Sequence, residues 1–251
     1  MTHSLIPDDS FPPRRNDPCY CGSGQRFKHC CGRMSSQRPP PYGVDIAENF
    51  LSPEERRDLA RLADTLEGQR FRVRDRARNL AVTLDDTRVA ERVPFGDSQR
   101  LLDDLVARAF EEQIIPRTGR SIDWYEEPQL LRYEPGGFYM YHSDAYDYAI
   151  EAGAWRKAVD RDISLLIYLN DEYEGGELHF KRLGYSLRPR AGMLVWFPSD
   201  VRYEHMAKLV TKGRRYALVS WAAVTGVERV QAEQPNRSIS WATREKKLPA
   251  A

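Results

Sequence analysis

The alternation of apolar and polar positions changes rhythm along the chain. Leu59, Leu62, Ala63 and Leu66 recur at helical spacing, one apolar stripe on an otherwise charged segment. Ser52-Pro53-Glu54-Glu55 stands in front of it. Ser52 is expected as the N-cap, Pro53 at the first helical position, and Glu55 as the residue closing a capping box. A second helix is expected from Asp97 or Ser98 to about Ile114, with Leu101, Leu102, Leu105, Ala109 and Phe110 turned inward and Pro116 as its stop. From residue 128 the texture becomes short β-rich segments separated by turns. Strands are expected at 129–133, 138–142, 163–169, 177–180, 192–197, 205–209 and 216–222. So many short strands predict an antiparallel sandwich or barrel. The stretch ISLLIYL at 163–169 is apolar on both faces, as a central strand covered on one side by helices would be. The expected fold is mainly β, a sandwich with flanking helices.

Composition divides the chain further. Residues 34–43, MSSQRPPPYG, read as a linker, because Pro39-Pro40-Pro41 favours extended polyproline II. Residues 44–127 then form a helical support, 128–226 the β core, and 227–251 a polar tail whose only large anchor is Trp241. A chain of 251 residues has room for one medium domain and a small module, with a core that needs no disulfides. The net charge of +1 indicates neither nucleic acid nor an anionic membrane as partner. The apolar runs fall far short of the roughly 20 residues a membrane span needs. The opening MTHSLIPDDSFPPRR lacks the layout of a secretory signal, so a cytoplasmic protein is expected.

All four cysteines lie between 19 and 31. Four thiolates in so short a segment can close a tetrahedral Zn²⁺ site of the structural type. Disulfides between such near neighbours would be strained. The stretch RNDPCYCGSGQRFKHCCG at 16–32 (within the 1–33 module) resembles the SEC-C zinc motif. That resemblance implies Cys19, Cys21, Cys30 and Cys31 as the zinc ligands, with His29 beside them. The module is basic, with Arg14, Arg15, Arg26, Lys28 and Arg33. Two roles stay open for it: recognition of a protein partner, or a folding staple.

The remaining histidines are His142, His179 and His205. His142-Ser143-Asp144 is an H-x-D at an expected strand end, where side chains two apart share a side. With His205 from a later strand, this makes two imidazoles and a carboxylate, the arrangement that leaves open positions on Fe(II). His179 has no partner motif and reads as structural. Trp196 and Trp221 read as core.

Three blocks carry a wider resemblance: LRYEPGGFYMYHSDA, ISLLIYLNDEYEGGELHF and PRAGMLVWFPSDVRYEHMAKLVTKGRRYALVSWAA. In this order they resemble the prolyl 4-hydroxylase-like Fe(II)/2-oxoglutarate-dependent dioxygenases over residues 129–223. The resemblance implies a double-stranded β-helix (jelly-roll, cupin-like) core, with His142, Asp144 and His205 holding iron. It also implies that Arg215 pairs with the distal carboxylate of 2-oxoglutarate; Arg214, one residue earlier, would face the other way. Tyr133, Tyr168 and Tyr139 match tyrosines near the cosubstrate, with packed sandwich tyrosines as the alternative. The stretch His205-Met206-Ala207-Lys208-Leu209-Val210 departs from the family's usual H-x-V-x-P-V without losing a ligand.

The activity implied is hydroxylation of a substrate C–H, using O₂ and 2-oxoglutarate, with ascorbate as a candidate reductant. The retained Asp144 favours this over halogenation. A protein or peptide substrate, such as a prolyl residue, stands first. A free amino acid or small metabolite is the alternative, and a catalytically idle binding protein the third. The stretch 145–162 is expected either as a lid, with Tyr146, Tyr148, Trp155, Arg156 and Lys157 near substrate, or as an ordinary loop or short helix.

Overall fold

The computed structural model describes residues 5–7, 16, 25–29, 39–70, 73–75, 80–82 and 87–245. Cys19, Cys21, Cys30 and Cys31 lie outside the described residues, as does 34–38 of the linker.

Helix α1, Pro53–Thr65, starts on a complete capping box. The Ser52 hydroxyl accepts the Glu55 N–H at 3.1 Å, and the Glu55 carboxylate accepts the Ser52 N–H at 2.8 Å. Its inner face buries Leu59 and Ala63, with Leu62 and Leu66 partly covered. Helix α2, Gln99–Ala109, buries Leu102, Leu105, Val106 and Ala109, the i, i+3, i+4, i+7 positions of one face. Leu101 lies off that face and is 51% exposed, not inward as the sequence suggested. Pro116 does not end the helix. The chain passes through a π-turn at Phe110–Ile114, where the Ile115 N–H bonds the Phe110 carbonyl, and winds on through Ile115–Thr118 to Gly119 at φ +65°. The wide turn puts Pro116 at the start of this last segment, where its missing N–H matters least.

Two antiparallel sheets pack face to face as a double-stranded β-helix. The larger runs Asp45–Ala47, Leu194–Pro198, Ile163–Tyr168, Arg215–Val224, Gln129–Tyr133, Glu91–Val93, Gln69–Arg70. The smaller runs Tyr185–Leu187, Leu178–Phe180, His205–Ala207, Phe138–His142, Arg88–Val89. Ile163–Tyr168 is central and buried throughout. Its Leu165 and Ile167 meet the helical layer, while Leu166 and Tyr168 face the smaller sheet. This is strand periodicity serving two cores.

Two regions differ from expectation. Residues 145–162 are neither plain loop nor helix: Tyr146–Ala149 and Ala154–Lys157 form a hairpin, turned by Ile150–Ala152 and Gly153. Tyr148 and Trp155 pair across it, ring centroids 5.5 Å apart. Leu5–Pro7 adds a third strand, antiparallel to Ala154–Lys157. The tail also belongs to the fold as far as residue 245. Ser238–Ser240 pairs with Ile122–Glu126, and Trp241 packs edge-on against Phe110 and Tyr125 at 6.0 and 6.2 Å. Among the described residues, no helix is long and apolar enough to cross a membrane.

Candidate active site

His142 closes the strand Phe138–His142, and His205 pairs directly opposite it at the start of His205–Ala207. Asp144 is not on the strand but in the bend beyond it. The bend, rather than strand alternation, brings its carboxylate back. Ser143 Oγ and the Ala145 N–H both bond the Ser199 carbonyl, each at 3.1 Å, and pin the turn to the end of Leu194–Pro198.

One ligand atom from each of the three side chains can be chosen so that all lie within 4.8 Å of one another. His142 Nε2 is 3.6 Å from Asp144 Oδ1, and His205 Nε2 is 3.8 Å from Asp144 Oδ2. The other nitrogen of each ring is already committed. His142 Nδ1 meets the Met140 carbonyl and His205 Nδ1 meets the Tyr203 carbonyl, both at 2.9 Å. A carbonyl only accepts, so each Nδ1 carries the proton and each Nε2 turns a lone pair toward the shared point. Two neutral imidazoles and one carboxylate fit a divalent iron and leave the far side of the metal open.

The charges agree with that donor set. Burial pushes His205 down to about 4, with His142 adding to the effect and Asp144 opposing it, so this imidazole is neutral. Burial resists the charge on Asp144, but His205, His142 and Ser164 outweigh it and hold the carboxyl well below the usual range. Ser164 Oγ donates to Asp144 Oδ2 at 2.6 Å and is itself 2.7 Å from Ser199 Oγ.

A cavity of about 180 Å³ opens between the sheets beside the triad, and Arg215 lines its wall. The Arg215 side chain is 1% exposed, its Nε has no hydrogen-bond partner, and no carboxylate among the described residues pairs with it. Its guanidinium lies 4.8 Å from the Tyr133 ring and 5.1 Å from the Tyr168 ring, with Nη2 3.5 Å from the Tyr168 hydroxyl. Burial works against the charge, but Tyr168, Tyr173 and Tyr133 raise its pKa, so the group stays cationic. Arg214 faces outward to Asp64 and Glu134. A buried cation without a counter-charge is costly, and an anion entering the cavity would satisfy it.

The comparisons decide which anion and which metal. Residues 128–223 match the 2OG-Fe(II) oxygenase superfamily, where 2OG is 2-oxoglutarate, and residues 15–33 match the SEC-C motif. This is a prolyl hydroxylase-like 2OG-Fe(II) oxygenase. Human prolyl 3-hydroxylase 2 is 37% identical over 83 residues, 30% of this chain and 12% of that protein. Human prolyl 3-hydroxylase 3 is 46% identical over 66 residues, 24% of this chain and 9% of that one. The chain thus spans only about an eighth or less of these relatives' length. In fold, the oxygenase is similar to the viral collagen prolyl hydroxylase of Paramecium Bursaria Chlorella virus-1, solved with 2OG. The TM-score is 0.53 at 21% identity, covering 72% of this chain and 97% of that one. It is also similar to a prolyl hydroxylase from Trichoplax adhaerens, solved with a hypoxia inducible factor peptide fragment. Here the TM-score is 0.52 at 19% identity, covering 72% and 83%. Fe(II), 2OG and O₂ are the metal and cosubstrates that the family and the triad imply.

Within the oxygenase the three expected tyrosines take different places. Tyr133 and Tyr168 flank Arg215. Tyr139 instead stacks on His142, centroids 3.6 Å apart at 18°, with Arg88 4.4 Å above it. Trp196 is buried in the helix-side core, as expected. Trp221 is not simply core: it lines the cavity, with the Arg161 guanidinium 3.8 Å from its ring. His179 bonds Ser186 Oγ at 2.7 Å, away from the triad. Ser164, Arg161 and Tyr173 escaped sequence reasoning. Arg161 donates to the Asp144 carbonyl at 3.3 Å and grips Glu126 with Nε and Nη2. Such roles follow from pairing between distant segments, and no local motif marks them.

Proposed function

We propose that the protein hydroxylates a C–H on a prolyl or other residue of a protein or peptide. The observation that carries this reading is Arg215, a buried guanidinium without a carboxylate partner, in the same cavity as a preformed triad. In this reading His142, Asp144 and His205 hold iron, and Arg215 takes the distal carboxylate of 2OG as a planar two-pronged donor. Tyr168 steadies the guanidinium. When bound, Fe(II) and 2OG supply the oxidising chemistry, in which O₂ and 2OG become succinate, CO₂ and a substrate hydroxyl. The protein's own work is positional. Main-chain carbonyls at Met140 and Tyr203 fix both imidazoles, Ser164 and Arg161 fix Asp144, and the apolar walls from Leu131, Leu166, Leu178 and Val219 keep bulk water away. Ascorbate is the reductant we assign. Zinc on Cys19, Cys21, Cys30 and Cys31 completes the N-terminal module.

The test has two parts. Purified protein should convert 2OG to succinate with Fe(II), and His142→Ala should lose this while keeping its melting temperature. Incubated with a lysate, it should add oxygen to peptides. Turnover stimulated only by small metabolites, with no oxidised peptide, would overturn the protein-substrate reading. Metal analysis should find zinc in the unaltered chain and in His142→Ala, but not in Cys21→Ser.

A further inference from the structure

Two contacts fix where the N-terminal segment meets the oxygenase, and both lie beside the metal ligands. The first is a neck at residues 42–44. The Tyr203 hydroxyl donates to the Tyr42 carbonyl at 2.9 Å. Gly43, at φ +83°, sits so close that a Cβ there would lie 2.0 Å from the Tyr203 hydroxyl oxygen. Tyr203 is also the residue whose carbonyl orients His205. The second contact is Leu5–Pro7 on the hairpin, with Leu5 opposite Arg156 and Pro7 opposite Ala154. That hairpin begins at Tyr146, two residues after Asp144.

Chain length then limits where the module can go. Asn16 is nine residues beyond Pro7 (16 − 7). At ~3.3–3.6 Å per residue it lies within roughly 32 Å of the hairpin. His29 is thirteen residues before Tyr42 (42 − 29), a reach of at most roughly 46 Å from the neck. A domain of this size is roughly 40 Å across. The two leashes together hold the module to the half of the molecule that carries the iron mouth.

Its charge says what it would hold. Residues 14–33 contain Arg14, Arg15, Arg26, Lys28 and Arg33 against Asp17 alone. Among the described ones, Arg26 is exposed and Lys28 partly so, both in or beside the turn Phe27–His29. We infer that this turn is a docking lobe over the iron mouth, and that it takes an acidic stretch of the same protein whose target residue enters the cavity. The inference rests on the protein-substrate reading above and adds a geometry to it. Docking on the lobe makes the second engagement intramolecular, so two weak contacts act as one stronger one.

The experiment uses the full chain loaded with Fe(II) and 2OG under nitrogen, and fluorescent peptides read by anisotropy. Each probe carries a proline run, with a glutamate run on either side or none. Spacers are of about two residues or of about ten, the longer reaching roughly 33 Å. The long-spacer acidic probe should bind at least about tenfold tighter than the probe without glutamates. The short spacer should lose that gain, and so should the double variant Arg26→Glu, Lys28→Glu. Arg26→Gln with Lys28→Gln, which disturbs the turn least, should lose part of it. Uncoupled succinate formation should be unchanged in both variants. Equal binding with and without glutamates would overturn the docking lobe, as would a gain indifferent to spacer or to charge reversal. Hydroxylation of the same probes, read by mass in air, is scored separately. Charge-dependent binding without added oxygen sinks the prolyl reading alone, whereas added oxygen without charge dependence sinks the lobe alone.

Discussion

The larger sheet has two faces, and they are packed by opposite rules. Against the helices lie Leu102, Leu105, Val106, Phe110, Leu165, Ile167, Trp196 and Leu218, a layer built almost wholly of aliphatic and aromatic side chains. Against the smaller sheet the same strands bury Ser164, Arg215 and a set of tyrosines, next to His205 and Asp144. The helix side needs only shape and apolar area. The sheet side gives up apolar contact to keep charged groups dry and oriented. The contrast shows that stability and activity were placed on opposite sides of one sheet, so substitutions can move one without the other.

The largest effect should come from the helix side. Phe110→Ala, deep in that layer, is expected to cost about 3–5 kcal/mol of folding stability. Chemical denaturation should show the loss, while the KM for 2OG, measured where the variant is still folded, stays within about twofold. Arg215→Met should do the reverse. Its affinity for 2OG should fall by about 2–4 kcal/mol, read as a rise in KM for succinate formation. Its melting temperature without ligand should hold or rise, because an unpaired buried cation has gone. A folding loss in Arg215→Met as large as that in Phe110→Ala would break the contrast. Ser164→Ala removes a hydroxyl from Asp144 and should weaken iron binding by about 10–100-fold with little change in KM for 2OG. Arg214→Gln, next to Arg215 but on the exposed face with Asp64 and Glu134, should cost under about 1 kcal/mol and leave turnover intact.

The sequence made the sheet side more legible than its polarity would suggest. His142, Asp144, His205 and Arg215 sit at fixed offsets in short blocks, and chemistry that needs several groups at once leaves that kind of local record. The central strand 163–168 was legible because burial on both faces removes all alternation. What stayed hidden depends on partners far along the chain. Ser164 matters only because the bend at 143–145 returns to it, and Trp221 lines the cavity only because of where its strand sits in the sheet. Leu101 looked inward because an apolar residue next to a stripe is indistinguishable from a member of it. Pro116 looked like a stop because nothing local announces a π-turn. The tail looked loose because its single anchor, Trp241, needs Phe110 and Tyr125 to be seen as one.

The carbonyls that orient His142 and His205 carry a consequence for how this site tolerates change over generations. An acceptor on the main chain is present whatever side chain the residue bears. Met140 is 44% exposed, so its side chain can drift freely while its carbonyl goes on holding His142. Point mutation can remove either imidazole, but it can scarcely remove what aims them. The orientation of the metal ligands is thus inherited with the path of the backbone, and the residues around it are free to diverge toward new substrates.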